Sequence, residues 1–234
     1  MIYALKFLGT IFAIWLSFWP LADWLFGLMG IKEETKRLEL SFAFSFTIGL
    51  GVLSYIVWLG MILGLRMLNF KVLLLMLVFA ALMSWGLWGR KKLAIWLKAR
   101  SLLGLIGIFL ILMAIWWIIR VTGSEKVIKV GEHMMNLAFI QVLIRSQQVP
   151  PPNPFFAGFK VDFYYYFFAL FLAILTVISR LPAHVAYFIA GIIWPAIAGL
   201  EIYVLLRLWA RRRLTPLMGL IFYLFTGNLG ILPH

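Results

Sequence analysis

Residues 102–119 read LLGLIGIFLILMAIWWII, an unbroken apolar run that ends at Arg120. An α-helix of this length rises about 27 Å at 1.5 Å per residue, which approaches the roughly 30 Å hydrocarbon core of a bilayer. A helix also satisfies its own backbone hydrogen bonds, as lipid surroundings require. This stretch therefore predicts a membrane-spanning helix.

The rest of the chain resembles this run. Apolar residues make up 65% of the sequence and charged residues 12%, with a mean hydropathy of +1.03, which exceeds what a soluble domain carries. These values predict an all-α, polytopic transmembrane bundle in the cell membrane, with the lipid bilayer as its partner. About six spans are expected, three within residues 1–100 and the others within a core formed by residues 101–234. The predicted spans are residues 7–29, 40–65, 72–89, 102–119, 185–206 and 217–232.

The basic residues stand in clusters beside apolar runs and indicate topology. The net charge is +13, but short clusters next to spans favour contacts with anionic lipid over nucleic acid. The positive-inside rule assigns both dense clusters to the cytoplasm, so an even number of crossings must separate them. The clusters are Arg90, Lys91, Lys92, Lys98 and Arg100, and Arg207, Arg211, Arg212 and Arg213.

The apolar run at residues 163–179 decides the span count. Its roughly 25 Å as a helix would just cross a membrane, and it could equally lie along the outer interface. Crossing would give seven spans and turn the second basic cluster outward. We favour the interfacial interpretation, in which residues 120–183 form one extracytoplasmic segment that contains two juxtamembrane helices.

This segment holds most of the unusual polar chemistry. A helix is predicted to begin at Glu132, and its first turn groups Glu132, His133 and Asn136 on neighbouring positions. A carboxylate at a helix start is also simply stabilising, because it complements the helix dipole. Prolines at 150, 151, 152 and 154 then enforce an extended path and hold Asn153 in a stiff loop.

Tyr164, Tyr165 and Tyr166 follow the loop. Neighbouring helical positions differ by about 100°, so at least one tyrosine must point away from the membrane. An aromatic belt at the interface would explain them equally well when taken alone.

Together, the loop and the tyrosines resemble the prokaryotic membrane proteins named for their Tyr-Tyr-Tyr motif, which look like members of the GT-C glycosyltransferase superfamily. The resemblance rests on residues 132–136, 151–155, 157–158 and 164–166. Asn136 and Asn153 stand where that pattern has aspartates. Members of that family are much longer, so the chain resembles an N-terminal part, a split subunit or a truncated product.

The resemblance implies transfer of a sugar from a polyprenyl-phosphate donor at the outer membrane face. It makes Glu132 the first candidate for the general base that takes the acceptor proton, and Asp162 the second. Cations would hold the lipid phosphate as it leaves. The implied substrate-binding residues are Lys129, His133, Asn136, Arg145, Asn153, Lys160, Tyr164, Tyr165, Tyr166 and Arg180.

Asn136 and Asn153, in place of two aspartates, support an alternative. The chain would then be a non-catalytic membrane protein that binds polyprenyl lipid or docks a partner membrane subunit. No cofactor is predicted. A divalent metal held by Glu132, His133, Asp162 and His184 is conceivable, but no ligand spacing supports it. Glu201 lies in the fifth span, and an ionisable residue within the membrane is a functional candidate. Its position within two turns of Arg207 favours the plainer interpretation, a carboxylate neutralised near the inner interface.

Overall fold

A computed structural model describes residues 2–98, 100–122, 132–161, 163–210, 212 and 214–226. For the helical residues 87–98, 100, 132, 163–165 and 226 it describes the backbone alone. Within these ranges the chain forms α-helices, and Pro152 and Lys160 form an isolated antiparallel bridge. The helices are α1 (Ile2–Leu28), α2 (Glu34–Ile62), α3 (Phe70–Lys98), α4 (Arg100–Thr122), α5 (Glu132–Ser146), α6 (Phe163–Ser179), α7 (Ala183–Trp209) and α8 (Thr215–Thr226).

Four of the described helices are long and apolar enough to cross a bilayer: α1, α2, the Ser101–Thr122 part of α4, and α7. Shorter apolar helices comprise Phe70–Gly86, Tyr166–Ser179 and Thr215–Phe225. The prediction of a helical membrane bundle is confirmed, and the protein is a multi-pass membrane protein. The count of six spans against seven stays a prediction.

Side-chain contacts fix the directions of the long helices. Arg37 Nε of α2 lies 2.8 Å from Asp23 Oδ1 near the end of α1, and Arg207 Nη2 near the end of α7 lies 3.4 Å from Glu39 Oε1. The end of α1, the start of α2 and the end of α7 therefore share one end of the bundle. We call this the inner end, after the cytoplasmic side to which the positive-inside rule assigns the basic clusters.

Helix α4 runs antiparallel to α7. The guanidinium of Arg120 lies against Gly191, and Leu112 packs against Gly199. Helix α4 therefore begins at the inner end, where α7 finishes. This brings the chain segments of both basic clusters to one end of the bundle, as an even number of crossings between them requires.

Helix α5 lies across the opposite end, which we call the outer end. At its start, His133 Nδ1 is 2.8 Å from the Tyr187 hydroxyl, one turn into α7. After its last turn, Gln147 makes two hydrogen bonds to the backbone of Leu68 in the α2–α3 connection. Both ends of α5 thus meet elements that start or finish at the outer end, as expected of a juxtamembrane helix.

Helix α6 has the same disposition. Trp58 Nε1, in the last turns of α2, donates to the Tyr166 hydroxyl at 3.1 Å, and the Arg180 guanidinium lies 3.7 Å from the centroid of the Phe70 ring at the start of α3. Trp58 and Phe70 flank the α2–α3 connection, so α6 begins and ends near one end of the bundle. The face of α6 that packs against the bundle is buried, and the side chains of Leu170 and Ile174 are fully enclosed. This geometry favours the interfacial interpretation of residues 163–179.

The hydrophobic core continues across residue 100, the predicted boundary between the N-terminal spans and the core spans. Trp15 of α1 donates its indole N–H to the Phe42 carbonyl of α2, and its ring makes an edge contact with Phe109 of α4 at 5.5 Å. The division at residue 100 stays a prediction.

Helix α2 begins at Glu34, before the predicted span of residues 40–65, and its first turns carry Arg37 and Glu39, which pair with α1 and α7. One detail differs from the sequence prediction. Arg207 pairs with Glu39, and Glu201 Oε1 instead accepts a 2.5 Å hydrogen bond from Thr47 Oγ1. Glu201 faces α2 rather than the next turns of its own helix.

Candidate functional site: a cationic cleft at the outer end

The outer end carries an open cleft of about 290 Å³, which we call the outer cleft. Two cationic side chains, Arg66 and Lys160, line it, and Gln147 and Gln148 add amides. Its described lining contains no carboxylate. The lining residues are Met61, Gly64, Arg66, Ser146, Gln147, Gln148, Val149, Pro150 and Lys160.

Arg66 is placed by the way α2 ends. Gly64 adopts a φ of 78°, a left-handed conformation that favours glycine, and the Leu65 N–H donates to the Gly60 carbonyl at 2.9 Å. The chain therefore leaves the helix sharply after Ile62. Arg66 follows in the α2–α3 connection with its side chain exposed beside the cleft.

Gln147 joins α5 to that connection. Its side-chain Oε1 accepts from the Leu68 N–H at 2.9 Å, and its Nε2 donates to the Leu68 carbonyl at 2.8 Å. Leu68 is buried. Without Gln147, its backbone N–H and carbonyl would lose these two hydrogen bonds in a place where buried polar groups need them. The pairing holds the α5 side of the cleft at a fixed distance from the Arg66 side.

Lys160 is placed by a short hairpin. The Val161 N–H donates to the Pro151 carbonyl at 2.9 Å, and the Asn153 N–H donates to the Phe159 carbonyl at 2.8 Å. Asn153 Oδ1 accepts from the N–H groups of Phe155 and Phe156 at 2.9 and 3.2 Å, an Asx turn that closes the tip. We call residues 152–160 the proline hairpin.

A second polar cluster lies where α5 meets α7. The Tyr187 hydroxyl is 2.8 Å from His133 Nδ1 and accepts from Asn136 Nδ2 at 3.4 Å. The predicted grouping of His133 and Asn136 on one helix face is present, and Tyr187 completes it. The backbone of Glu132 begins the same helix, and its side chain is outside the described part of the chain.

The other predicted site residues are dispersed around the outer end. Arg145 is exposed on the last turn of α5, and Arg180 stacks on Phe70. Tyr166 is buried at 3% exposure and bonded to Trp58, so it ties α6 to α2. Tyr164 and Tyr165 belong to α6 by their backbone, while Lys129 and Asp162 lie outside the described residues. Their predicted roles in substrate binding or catalysis stay predictions.

Three residues of the site were missed by sequence reasoning. Gln147 and Tyr187 act through contacts between segments distant in sequence, which no local pattern reveals. Arg66 could have been found, because the topology that places Lys160 outside also places the end of the second span there. For the metal hypothesis, no three His, Asp or Glu residues converge within the described ranges, but Asp162 and the Glu132 side chain lie beyond them.

The outer cleft has the chemistry of an anion site. Guanidinium and ammonium groups form charge-assisted hydrogen bonds to phosphate oxygens, and Arg can engage two oxygens at once. With no carboxylate in the described lining to neutralise Arg66 and Lys160, their field is directed at whatever enters.

Comparison with models of protein families finds a match over most of the chain. A family model described as "Uncharacterized membrane protein (DUF2298)" matches residues 52–233, a range that includes the outer cleft, the proline hairpin and the cluster around Tyr187. No curated protein and no solved structure matches the chain.

Proposed function

We propose, starting from the fact that the chain belongs to the DUF2298 family of membrane proteins, that it binds a polyprenyl-phosphate-linked sugar at its outer end and transfers the sugar to an acceptor. The observation that carries the proposal is the outer cleft, where Arg66 and Lys160 face a space of about 290 Å³. That volume is near the lower end of small-molecule sites, enough for a phosphate and part of a sugar.

The cations would stabilise the leaving group. As the bond between the anomeric carbon and the phosphate oxygen breaks, negative charge accumulates on the polyprenyl phosphate, and fixed positive groups aimed at that charge lower the barrier. Arg66 and Lys160 reach the cleft from different elements, the α2–α3 connection and the proline hairpin. A phosphate held between them would fix the orientation of the sugar.

Asp162 and Glu132 are the candidate general bases. Either carboxylate would take the proton from the acceptor hydroxyl while the acceptor oxygen attacks the anomeric carbon and the polyprenyl phosphate departs. Asp162 follows Lys160 of the cleft by two residues in the sequence, whereas Glu132 begins α5 and lies about 21 Å along that helix from Ser146 at the cleft. His133, Asn136 and Tyr187 form a separate hydrogen-bonding cluster at that helix start. The Tyr-Tyr-Tyr and GT-C resemblance of the loop supports this assignment.

The second candidate is lipid binding without catalysis, which the two asparagines favour. Asn136 uses its amide as a donor to Tyr187, and Asn153 uses its amide oxygen to close a turn. Both side chains are engaged in hydrogen bonds within the fold. A protein of this kind would hold a polyprenyl phosphate for a partner subunit.

Native mass spectrometry of the full chain with geranyl phosphate, a short polyprenyl phosphate, tests the binding step. Arg66→Gln and Lys160→Gln should each weaken binding about tenfold or more, since a charge-assisted hydrogen bond contributes on the order of 1.5–3 kcal/mol. Lys71→Gln is the matched control, because Lys71 is exposed near the start of α3 and does not line the cleft. Equal binding of geranyl phosphate by all three variants would exclude the outer cleft as the phosphate site.

A transfer assay separates the two candidates. Proteoliposomes with polyprenyl-phosphate sugars and acceptor lipids should form product with the unaltered chain and lose it with Asp162→Asn or with Glu132→Gln, according to which carboxylate is the base, while geranyl phosphate binding persists. Binding without any product, alone and with candidate partner subunits, would support the non-catalytic function. Full transfer by Glu132→Gln would remove Glu132 from the role of base.

A further inference from the structure

The tip of the proline hairpin exposes three phenylalanines. The exposed fractions of Phe155, Phe156 and Phe159 are 55%, 65% and 69%. Exposed apolar residues on the long helices are accounted for by the lipid around them. The hairpin tip belongs to no helix, so its apolar side chains need another explanation.

The tip is held in shape. Asn153 Oδ1 bonds two backbone N–H groups, the Pro152–Lys160 bridge closes the base, and Gly158 supplies the left-handed conformation of the turn with a φ of 84°. Phe155 also meets the Phe139 ring of α5 at 6.1 Å between centroids. The phenylalanines are therefore presented from a fixed base rather than from a slack loop.

The stretch that contains the tip carries only positive charge, and the carboxylates nearest to it in the sequence, Glu132 and Asp162, flank it. From His133 to Val161 the sequence contains Arg145 and Lys160 and no aspartate or glutamate. Lys160 follows Phe159 directly, and both it and Arg66 of the nearby cleft are exposed. Aromatic residues beside cations are the composition that binds the interface of an anionic membrane, with rings among the acyl chains and cations at the phosphates.

We propose that Phe155, Phe156 and Phe159 insert into the outer leaflet of the membrane that the bundle spans, as an interfacial anchor. The outer end of α2 and the α2–α3 connection line the same cleft as Lys160, so the bilayer surface is the apolar phase nearest to the hairpin. Insertion sets the outer cleft at the height of the phosphate groups. The anchor goes beyond the proposed sugar transfer and stands whether or not the cleft binds a polyprenyl lipid.

The absence of cysteine from the sequence makes a direct test available. A nitroxide label on Ala157→Cys reports depth by comparing its accessibility to oxygen, which concentrates in lipid, with that to a neutral nickel chelate, which stays in water. The full chain is placed in nanodiscs of phosphatidylcholine with one quarter phosphatidylglycerol. Gln148→Cys, exposed at the same end outside the tip, is the matched control, and Leu75→Cys on α3 supplies the lipid-facing reference.

The label at residue 157 should show an oxygen-to-nickel ratio between those at residues 75 and 148. Replacement of the three phenylalanines by serine should lower it to the value at residue 148, and omission of phosphatidylglycerol should also lower it. A ratio at residue 157 equal to that at residue 148 in the otherwise unaltered chain would overturn the anchor. A label shielded from both reagents in native membrane vesicles would also overturn it, in favour of a protein partner.

Discussion

At the scale of single residues, Asn153 stands where the resemblance to the Tyr-Tyr-Tyr proteins predicts an aspartate, and its hydrogen bonds show what an amide does at this position. The side-chain oxygen of Asn153 accepts from the backbone N–H groups of Phe155 and Phe156. An aspartate would accept the same two bonds, because Asn and Asp both form Asx turns. The absence of a carboxylate at this position is therefore compatible with the hairpin that presents Lys160.

Asn153→Asp should consequently keep the hairpin, whereas Asn153→Ala should loosen it. Loss of two acceptor contacts costs on the order of 1–2 kcal/mol locally. Hydrogen exchange at the amides of Phe155 and Phe156 is the measurement. Faster exchange in Asn153→Ala alone is expected, and equal exchange in the two variants would show that the prolines alone hold the loop.

Gln147 supports a second residue-scale prediction. Gln147→Ala leaves the buried N–H and carbonyl of Leu68 without their side-chain partners, which costs roughly 1–3 kcal/mol. Gln148→Ala is the matched control, since the neighbouring Gln148 is exposed. Chemical unfolding in detergent should show a lower unfolding free energy for Gln147→Ala and little change for Gln148→Ala. A lower unfolding free energy for Gln148→Ala than for Gln147→Ala would contradict the view that Gln147 ties α5 to the α2–α3 connection.

At the scale of helices, α1 and α2 pack closely because Gly49 has no side chain. A Cβ at residue 49 would lie 2.6 to 2.9 Å from three atoms of the buried Phe18 side chain, closer than real contacts allow. Gly49→Ala should lower the unfolding free energy by about 1–3 kcal/mol through overpacking. Gly51→Ala is the control, because a Cβ at residue 51 meets nothing within 4 Å.

Thermal unfolding in one detergent compares the two glycine variants under identical conditions. Gly51→Ala should match or slightly exceed the unaltered chain, since alanine favours the helix over glycine. Similar midpoints for Gly49→Ala and Gly51→Ala would mean that Phe18 moves aside without cost.

Two ion pairs near the inner end allow a buried pair to be compared with an exposed one. Arg37→Gln removes an ion-pair partner of the Asp23 carboxylate, which is 1% exposed, and breaking a buried pair costs about 3–5 kcal/mol. Lys36→Gln removes a pair with Glu33 in which both side chains are about half exposed, worth roughly 0–1 kcal/mol. Unfolding measurements that rank the two variants equally would contradict the burial of Asp23.

The helices were more predictable than their arrangement. The apolar run at residues 102–119 identified α4, and residues 163–179 coincide with α6, because both follow from local composition. The ion pairs that Arg37 and Glu39 of α2 make with α1 and α7 were not predicted. Such partners depend on packing between distant segments, which hydropathy does not encode.

At the scale of the whole molecule, the contacts between helices agree with the topology that the basic clusters predicted and add an arrangement that they did not predict. Both basic clusters were assigned to one side, and the antiparallel packing of α4 and α7 agrees with that assignment. The outer cleft required three distant segments to converge, the α2–α3 connection, the end of α5 and the proline hairpin. No sequence pattern indicated that convergence, so Arg66 was overlooked while Lys160 was chosen.

The topology itself can be tested with the cysteine-free chain. Gln148→Cys should react with a membrane-impermeant maleimide on intact cells, because it lies at the outer end. Arg212→Cys, exposed just after α7, should react only after the membrane is permeabilised. Reaction of both variants on intact cells would place an even number of crossings between residues 148 and 212, as in a seven-span chain, in which both α6 and α7 cross.

A cryo-electron microscopy structure of the purified chain with a polyprenyl-phosphate sugar tests the central claim most directly. We expect phosphate density in the outer cleft between Arg66 and Lys160, with the attached sugar beside it. An empty outer cleft together with phosphate density elsewhere, for example beside Arg207 at the inner end, would contradict it.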